Sequence, residues 1–353
     1  MKDLLLPTTL GLAHGIADGA AGLMLGGLPG RVPLEHVALL VLLYNVLAFA
    51  CQPLLGVLTD HLRQPRLVAL AGLGLQTAGL LLTPWQPIAA VALAGLGSGC
   101  FHVGGGALAL CATRGRAIGP GLFAAPGVLG LALGGYLAIT GAGNIWPWLA
   151  LLVLSSLAVA ALGQPALPYA ETTREPIFER HDLIMIALLA GIALRSLVWT
   201  TLQYVLQARV DVLLLLAVAG AIGKVLGGLL ADRYGWRRWT MLALGGAAAL
   251  LTVSGGNLYL LMLGVALLQS ATPGALAATL RLLPRQPATA AGLGLGLAIA
   301  VGGLPLMLGW GGVLGSPPGL AVTALAAGLL CALALAWLRR PAAPPIVLAE
   351  ARQ

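Results

Sequence analysis

Residues Leu4 to Pro29 read LLLPTTLGLAHGIADGAAGLMLGGLP, an uninterrupted apolar run. A bilayer-crossing helix needs about 20 apolar residues, so this run is long enough. It nevertheless carries His14 and Asp18 near its middle. An ionised carboxylate at membrane depth costs at least ~2.5–3.5 kcal/mol, so such groups face a bundle interior or a wet cavity. Residues four apart share a helix face, and Gly11, Gly15 and Gly22 lie on or beside that stripe. Small residues at this spacing let a second helix backbone approach closely. The first helix is therefore expected to turn a polar, tightly packed face to the protein. The plainer alternative is two polar groups satisfying each other in a helix seam.

The pattern repeats along the chain. Apolar spans fall near 4–29, 36–59, 66–84, 87–111, 117–141, 146–165, 182–207, 211–231, 238–254, 257–281, 287–311 and 319–338. Only 8% of the 353 residues are charged and 59% are hydrophobic; a soluble domain carries about 25% charge. Both figures predict an all-α polytopic membrane protein. The basic balance of +8 is an orientation signal and not a nucleic-acid footprint. Of the 19 Lys and Arg, only Arg31 and Arg209 fall in the loops opposite the N-terminus, and only Arg195 and Lys224 inside spans. The rest share the side of the N-terminus, which the positive-inside rule makes cytoplasmic, with both termini inside. Lys2 and the following run are longer than a signal-peptide core and are expected to be retained. The four cysteines, in apolar spans without paired spacing, give neither a disulfide framework nor a zinc site.

The stretch 166–181, ALPYAETTREPIFERH, is the one long charged segment between spans. It divides a six-span bundle over 1–165 from a second over 182–340, with a short tail at 341–353. The second span ends in GVLTD (Gly56–Asp60) and the eighth in GLLAD (Gly228–Asp232), about half a chain-length apart, each followed by a basic turn. Two repeats related by an axis along the membrane normal are the pattern of major facilitator transporters.

GLLADRYGWRR resembles the signature loop of that superfamily at almost every position, through Gly228, Asp232, Arg233, Gly235, Arg237 and Arg238. GVLTDHLRQPR keeps Gly56 and Asp60 but carries His61, Arg63 and Gln64 where Arg, Gly and Arg are usual. The resemblance implies a gating role: the Asp caps a neighbouring helix N-terminus and pairs with Arg, holding one face closed. A narrower resemblance covers most of the chain. AHGIADG in the first span, Asn45 with Gln52-Pro53 and Gly56 in the second, GLGSGCFH in the fourth and LRSLVWTTL in the seventh look like the fosmidomycin-resistance group of exporters. Val103-Gly104 follow His102 where that group usually has Pro-Glu. The fifth-span glycines, Gly127, Gly130, Gly134 and Gly135, weakly resemble an antiporter motif and are expected to permit sliding contacts between the halves.

The resemblance also implies that the first, fourth, seventh and tenth spans line a central cavity. At ~1.5 Å rise per residue, His14, Asp18, His102, Arg195 and Gln269 then all lie near the midplane, where secondary transporters bind substrate. The expected substrate and proton site comprises these residues with Asn45, Gln52, Trp199 and Gln203. His14, Asp18, His102 and Arg195 are expected to form one electrostatic unit, with Arg195 neutralising Asp18 across the halves. Lys224 is expected to reach towards the cytoplasmic face.

The sequence thus predicts a multi-pass transporter of the cell membrane, acting as a monomer on a small anionic or zwitterionic organic solute by proton-coupled efflux. Without a phosphate-binding loop, ATP is not the energy source. No cofactor is expected, and His14, His36 and His102 have no metal-ligand spacing. An importer makes the same demands on the sequence. A non-transporting assembly or scaffold protein would not need polar groups matched in depth on four spans.

Overall fold

A computed structural model describes residues 2–168 and 180–338. The expectations for most of the linker and for the tail at 341–353 lie outside the described residues. Twelve long helices follow one another: α1 (Lys2–Gly26), α2 (Leu34–Leu62), α3 (Pro65–Leu82), α4 (Pro87–Ala112), α5 (Ile118–Ile139), α6 (Ile145–Ala161), α7 (Arg180–Val205), α8 (Val210–Tyr234), α9 (Trp236–Val253), α10 (Leu258–Leu282), α11 (Pro287–Met307) and α12 (Pro317–Trp337). Among the described residues, nine are long and apolar enough to cross a membrane on both criteria. The others are α1 and α9, which carry polar residues, and α6, with 17 residues.

Local chemistry explains the helix ends. Proline opens α3, α4, α11 and α12, where its missing N–H costs nothing and its fixed φ suits the first turn. Asn144 and Asn257 cap α6 and α10, their side-chain oxygens accepting from Trp146 N at 3.0 Å and Tyr259 N at 3.0 Å. Gly235, at φ 91°, makes the sharp turn from α8 into α9. Three helices depart from regular geometry. π-helical turns widen α2 at Val46–Ala50 and α11 at Gly292–Leu297, and α10 breaks at Ala271 ahead of Pro273.

Each half packs around its own buried core, Leu73, Phe101 and Leu108 in the first and Leu216, Leu244 and Leu268 in the second. The seams repeat in the two halves. A Cβ added to Gly130 of α5 would run into the Gly15 carbonyl of α1, and one added to Gly302 of α11 into the Ala193 carbonyl of α7. Gly99 of α4 lies against the Leu47 carbonyl of α2, as Gly223 of α8 lies against Ala266 of α10. Lipid tails are as apolar as the side chains, so helices here associate by close van der Waals packing.

The α5 glycines expected to slide between the halves therefore do not join them. Gly130 and Gly134 pack on Gly15 and Gly19 of α1, inside the first half. Glycines at the boundary include Gly56, against Ala288 and Thr289 of α11, Gly228, against Ala117 and Ile118, and Gly121, against the Lys224 carbonyl. Small residues had announced close approach without naming the neighbour.

The α1–α5 seam gives a direct test. Gly130→Ala overpacks it and should cost about 1–3 kcal/mol. Gly245→Ala, with nothing within 4 Å of its added Cβ, should be near neutral. Thermal melts of the purified variants check this, and equal melting points would contradict the packing.

Candidate functional site

At the end bearing the two basic turns, a carboxylate from each half bonds to the backbone of the other. Asp60, near the end of α2, accepts from the backbone N–H groups of Ala288 (3.0 Å) and Thr289 (2.8 Å) and from the Thr289 hydroxyl (2.8 Å), all in the first turn of α11. Asp232, at the matching place in α8, accepts from Ala117 N (2.8 Å) and Ile118 N (3.1 Å) at the start of α5. Each half thus caps a helix of the other. The unpaired N–H groups and positive dipole end of a helix N-terminus make it a natural carboxylate site. Trp236 Nε1 also donates to Asp232 at 3.2 Å, and Arg116 Nε lies 3.6 Å from it. Arg116 comes from the α4–α5 turn, outside the signature loop, so no local motif marked it. Arg233, Arg237 and Arg238 are exposed at the same end, and Arg233 sits 5.6 Å from the Tyr234 ring centroid.

Deeper in the first half, α1 and α4 bring three polar side chains together. His14 Nε2 lies 3.0 Å from His102 Nε2 and 3.1 Å from Asp18 Oδ2. His14 Nδ1 faces the Phe123 carbonyl of α5 at 2.9 Å, and His102 Nδ1 faces the Ser98 carbonyl at 2.8 Å, with the Ser98 hydroxyl farther off at 3.2 Å. A carbonyl only accepts, so each Nδ1 carries the hydrogen and donates. Two neutral imidazoles and a carboxylate then turn three lone pairs on one another. One positive charge among them converts that repulsion into bonds. The ring of Phe123 stacks on His14 at 4.6 Å between centroids. On α5, Gly127 packs its backbone against the triad, and only glycine fits: a Cβ there would lie 2.6 Å from His14 Nε2 and 2.9 Å from Asp18 Oδ2.

The second half holds its charge apart from this. Buried Arg195 donates through Nη1 to Gln269 Oε1 (2.8 Å) and through Nη2 to Ser196 Oγ (2.6 Å), and its Nε is buried without an acceptor. Among the described residues no carboxylate pairs with it, so the expected ion pair with Asp18 is not formed and the four-residue unit divides between the halves. A cation that does cross the boundary is Lys224. It is buried, and its Nζ donates to the Ala124 carbonyl of α5 at 3.2 Å; it does not reach for the cytoplasmic face.

The remaining expected residues separate. Gln52 is buried in the α2–α11 contact, its Nε2 donating to the Ala48 carbonyl at 2.6 Å, its Oε1 without a donor, and its side chain against Gly296. Asn45 is exposed and donates to Val41 O of its own helix at 2.8 Å; it does not join the buried polar groups. Trp199 packs against the second core, and Gln203 is partly buried near the end of α7. The expectation of no metal-ligand grouping also changes. His36 is exposed at the start of α2, but Asp18 completes a set with His14 and His102 whose ligand atoms all lie within 4.8 Å of one another. Counting histidines alone had missed the carboxylate four residues along.

No protein-family model matches this chain, and no curated protein matches it. Solved structures do. FucP, the E. coli fucose:proton symporter, in its outward conformation, superposes with a TM-score of 0.72 at 12% identity over 96% of this chain and 100% of that one. A bacterial homologue of the iron transporter ferroportin, outward-facing, gives 0.62 at 17% identity over 94% and 98%. The human organic anion transporter MFSD10 gives 0.66 at 17% identity over 96% and 99%. The chain has the major facilitator fold, twelve helices in two pseudo-symmetric bundles of six.

The paired caps predict an effect on opening. Asp232→Ala removes a helix cap, a loss of about 0.5–2 kcal/mol. A cysteine placed at buried Ile118, in a background lacking the native cysteines, should then react with a maleimide several-fold faster. An unchanged rate in both Asp60→Ala and Asp232→Ala would show that the caps do not hold this end shut.

Proposed function

We propose that the protein is a secondary transporter that works by alternating access between its halves. The observation carrying this reading is the placement of buried charge on both sides of a boundary capped reciprocally at one end. The triad belongs to the first half, Arg195 and Gln269 to the second, and Lys224 bridges them. Burying such groups is costly unless they are used or paired.

His14, Asp18 and His102 hold the coupling proton, the positive charge their facing lone pairs demand. Arg195, whose Nε has no acceptor, takes an anionic group of a small organic solute, a carboxylate or phosphonate, both of which suit a guanidinium fork. Asp60 and Asp232 act in gating, breaking and remaking their caps in each cycle. The resemblance to the fosmidomycin-resistance exporters supports proton-coupled efflux across the cytoplasmic membrane by a monomer.

A second reading has one observation in its favour. Arg195 and Lys224 already make the second half cationic, and a proton on the triad adds to that field. Proton and anion would then favour each other's binding, which is the sign of symport and import.

Proteoliposomes containing a pH-sensitive dye test both readings. Adding carboxylates and phosphonates outside should move protons across wild-type membranes, outward or inward according to the mode. Asp18→Asn, nearly isosteric, should abolish that movement while its melting point stays close to wild type. Proton movement undiminished in Asp18→Asn, or absent with every anion tried, would contradict the reading.

A further inference from the structure

We propose that His14, His102 and Asp18 form a binding site for a first-row divalent transition-metal ion of the Zn²⁺, Co²⁺ and Ni²⁺ class. The site follows from geometry and does not depend on the transport reading; its predicted effect on transport does. Two imidazole nitrogens and one carboxylate oxygen converge from α1 and α4, with Nε2–Nε2 at 3.0 Å and Nε2–Oδ2 at 3.1 Å. Ligands about 2.0–2.1 Å from a tetrahedral zinc stand about 3.3 Å apart, so the two separations at His14 need a few tenths of an ångström of spreading, and the third ligand pair already lies within 4.8 Å.

The outer contacts are those of metal-bound histidines. Such a histidine donates its second ring N–H to a carbonyl or carboxylate, which fixes the tautomer and turns the other nitrogen to the ion. Both imidazoles do this here, His14 to the Phe123 carbonyl at 2.9 Å and His102 to the Ser98 carbonyl at 2.8 Å. The two nitrogens with free lone pairs are therefore the two that face each other.

A second feature points the same way. Gly127 stands beside the ligand atoms, where a methyl group would come within 2.6 Å of His14 Nε2 and 2.9 Å of Asp18 Oδ2. The glycine keeps this flank free of side-chain atoms, so with three protein ligands the fourth coordination position of a zinc-type ion is left to a small group such as water. Imidazole with carboxylate suits zinc and its neighbours better than calcium or magnesium, which prefer all-oxygen shells. Nearby Lys224 is occupied by the Ala124 carbonyl. Since the ion uses the lone pairs that would hold the coupling proton, it displaces that proton and should inhibit coupled transport.

The test is Co²⁺ titration of the purified full-length protein, read in the visible spectrum. One equivalent should produce the d–d bands of a four- or five-coordinate site, and Zn²⁺ should bleach them. His102→Gln and Gly127→Ala should lose the bands, while His36→Gln keeps them, with melting points confirming that each variant folds. Where a variant does not fold, the wild-type spectrum decides. Absence of bands in wild type, or bands unchanged in folded His102→Gln, would overturn the site. In proteoliposomes, Zn²⁺ should stop wild-type proton movement. Co²⁺ binding without inhibition would leave the metal site standing and count against the proton assignment. Proton movement by a protein that binds no Co²⁺ would overturn the metal site and leave the transport reading intact.

Discussion

A carboxylate accepting hydrogen bonds from the first turn of a helix is worth only about 0.5–2 kcal/mol, yet two of them join the halves of this protein. Asp60 reaches from the first half to α11 and Asp232 from the second half to α5. Their placement depends on glycine. Gly56 and Gly228, each four residues before its aspartate, let α2 and α8 lie against the backbone of the helix that is capped. Moving a two-state equilibrium from 1:99 to 99:1 takes about 5.5 kcal/mol. Two caps supply a substantial part of that without making closure permanent. Their strength therefore suits a boundary that opens and closes.

Above the caps, polar groups are satisfied within their own half or by backbone carbonyls. His14 and His102 spend one N–H each on carbonyls, Arg195 spends two groups on Gln269 and Ser196, and Lys224 reaches the carbonyl of Ala124. What is left over, three converging lone pairs on one side and an Arg195 Nε on the other, is what the proposed function puts to use. The facing π turns of α2 and α11 add a second irregularity at the boundary, where Gly296 lies against the Phe49 carbonyl and the Gln52 side chain. π turns inside α-helices are frequent at functional sites.

The fold was legible because its signals are local. Span lengths, prolines at helix starts and the repeated Gly-to-Asp pattern placed the twelve helices within a few residues. Position along a helix needs only the rise per residue. Azimuth was not legible. Arg195 turns to Gln269 rather than Asp18. Asn45 and Gln52, seven apart, would lie about 20° from each other on a regular helix. The π turn between them rotates the chain further, so Gln52 is buried and Asn45 exposed. The triad was half visible: the i, i+4 pair on α1 was plain, and its meeting with His102 and the carbonyl of Phe123 depends on how three helices pack.

Alternating access requires the halves to move against each other about this boundary. Pulsed EPR distances at its two ends test it most directly. Spin labels at exposed Leu62 and Gln286 span the halves at the capped end, and labels at exposed Gly30 and Ala208 span them at the other. In nanodiscs, two distance populations are expected at each end, and Asp60→Ala with Asp232→Ala should lengthen the first pair while shortening the second. One unvarying distance at both ends, in wild type and in the double variant, would contradict it.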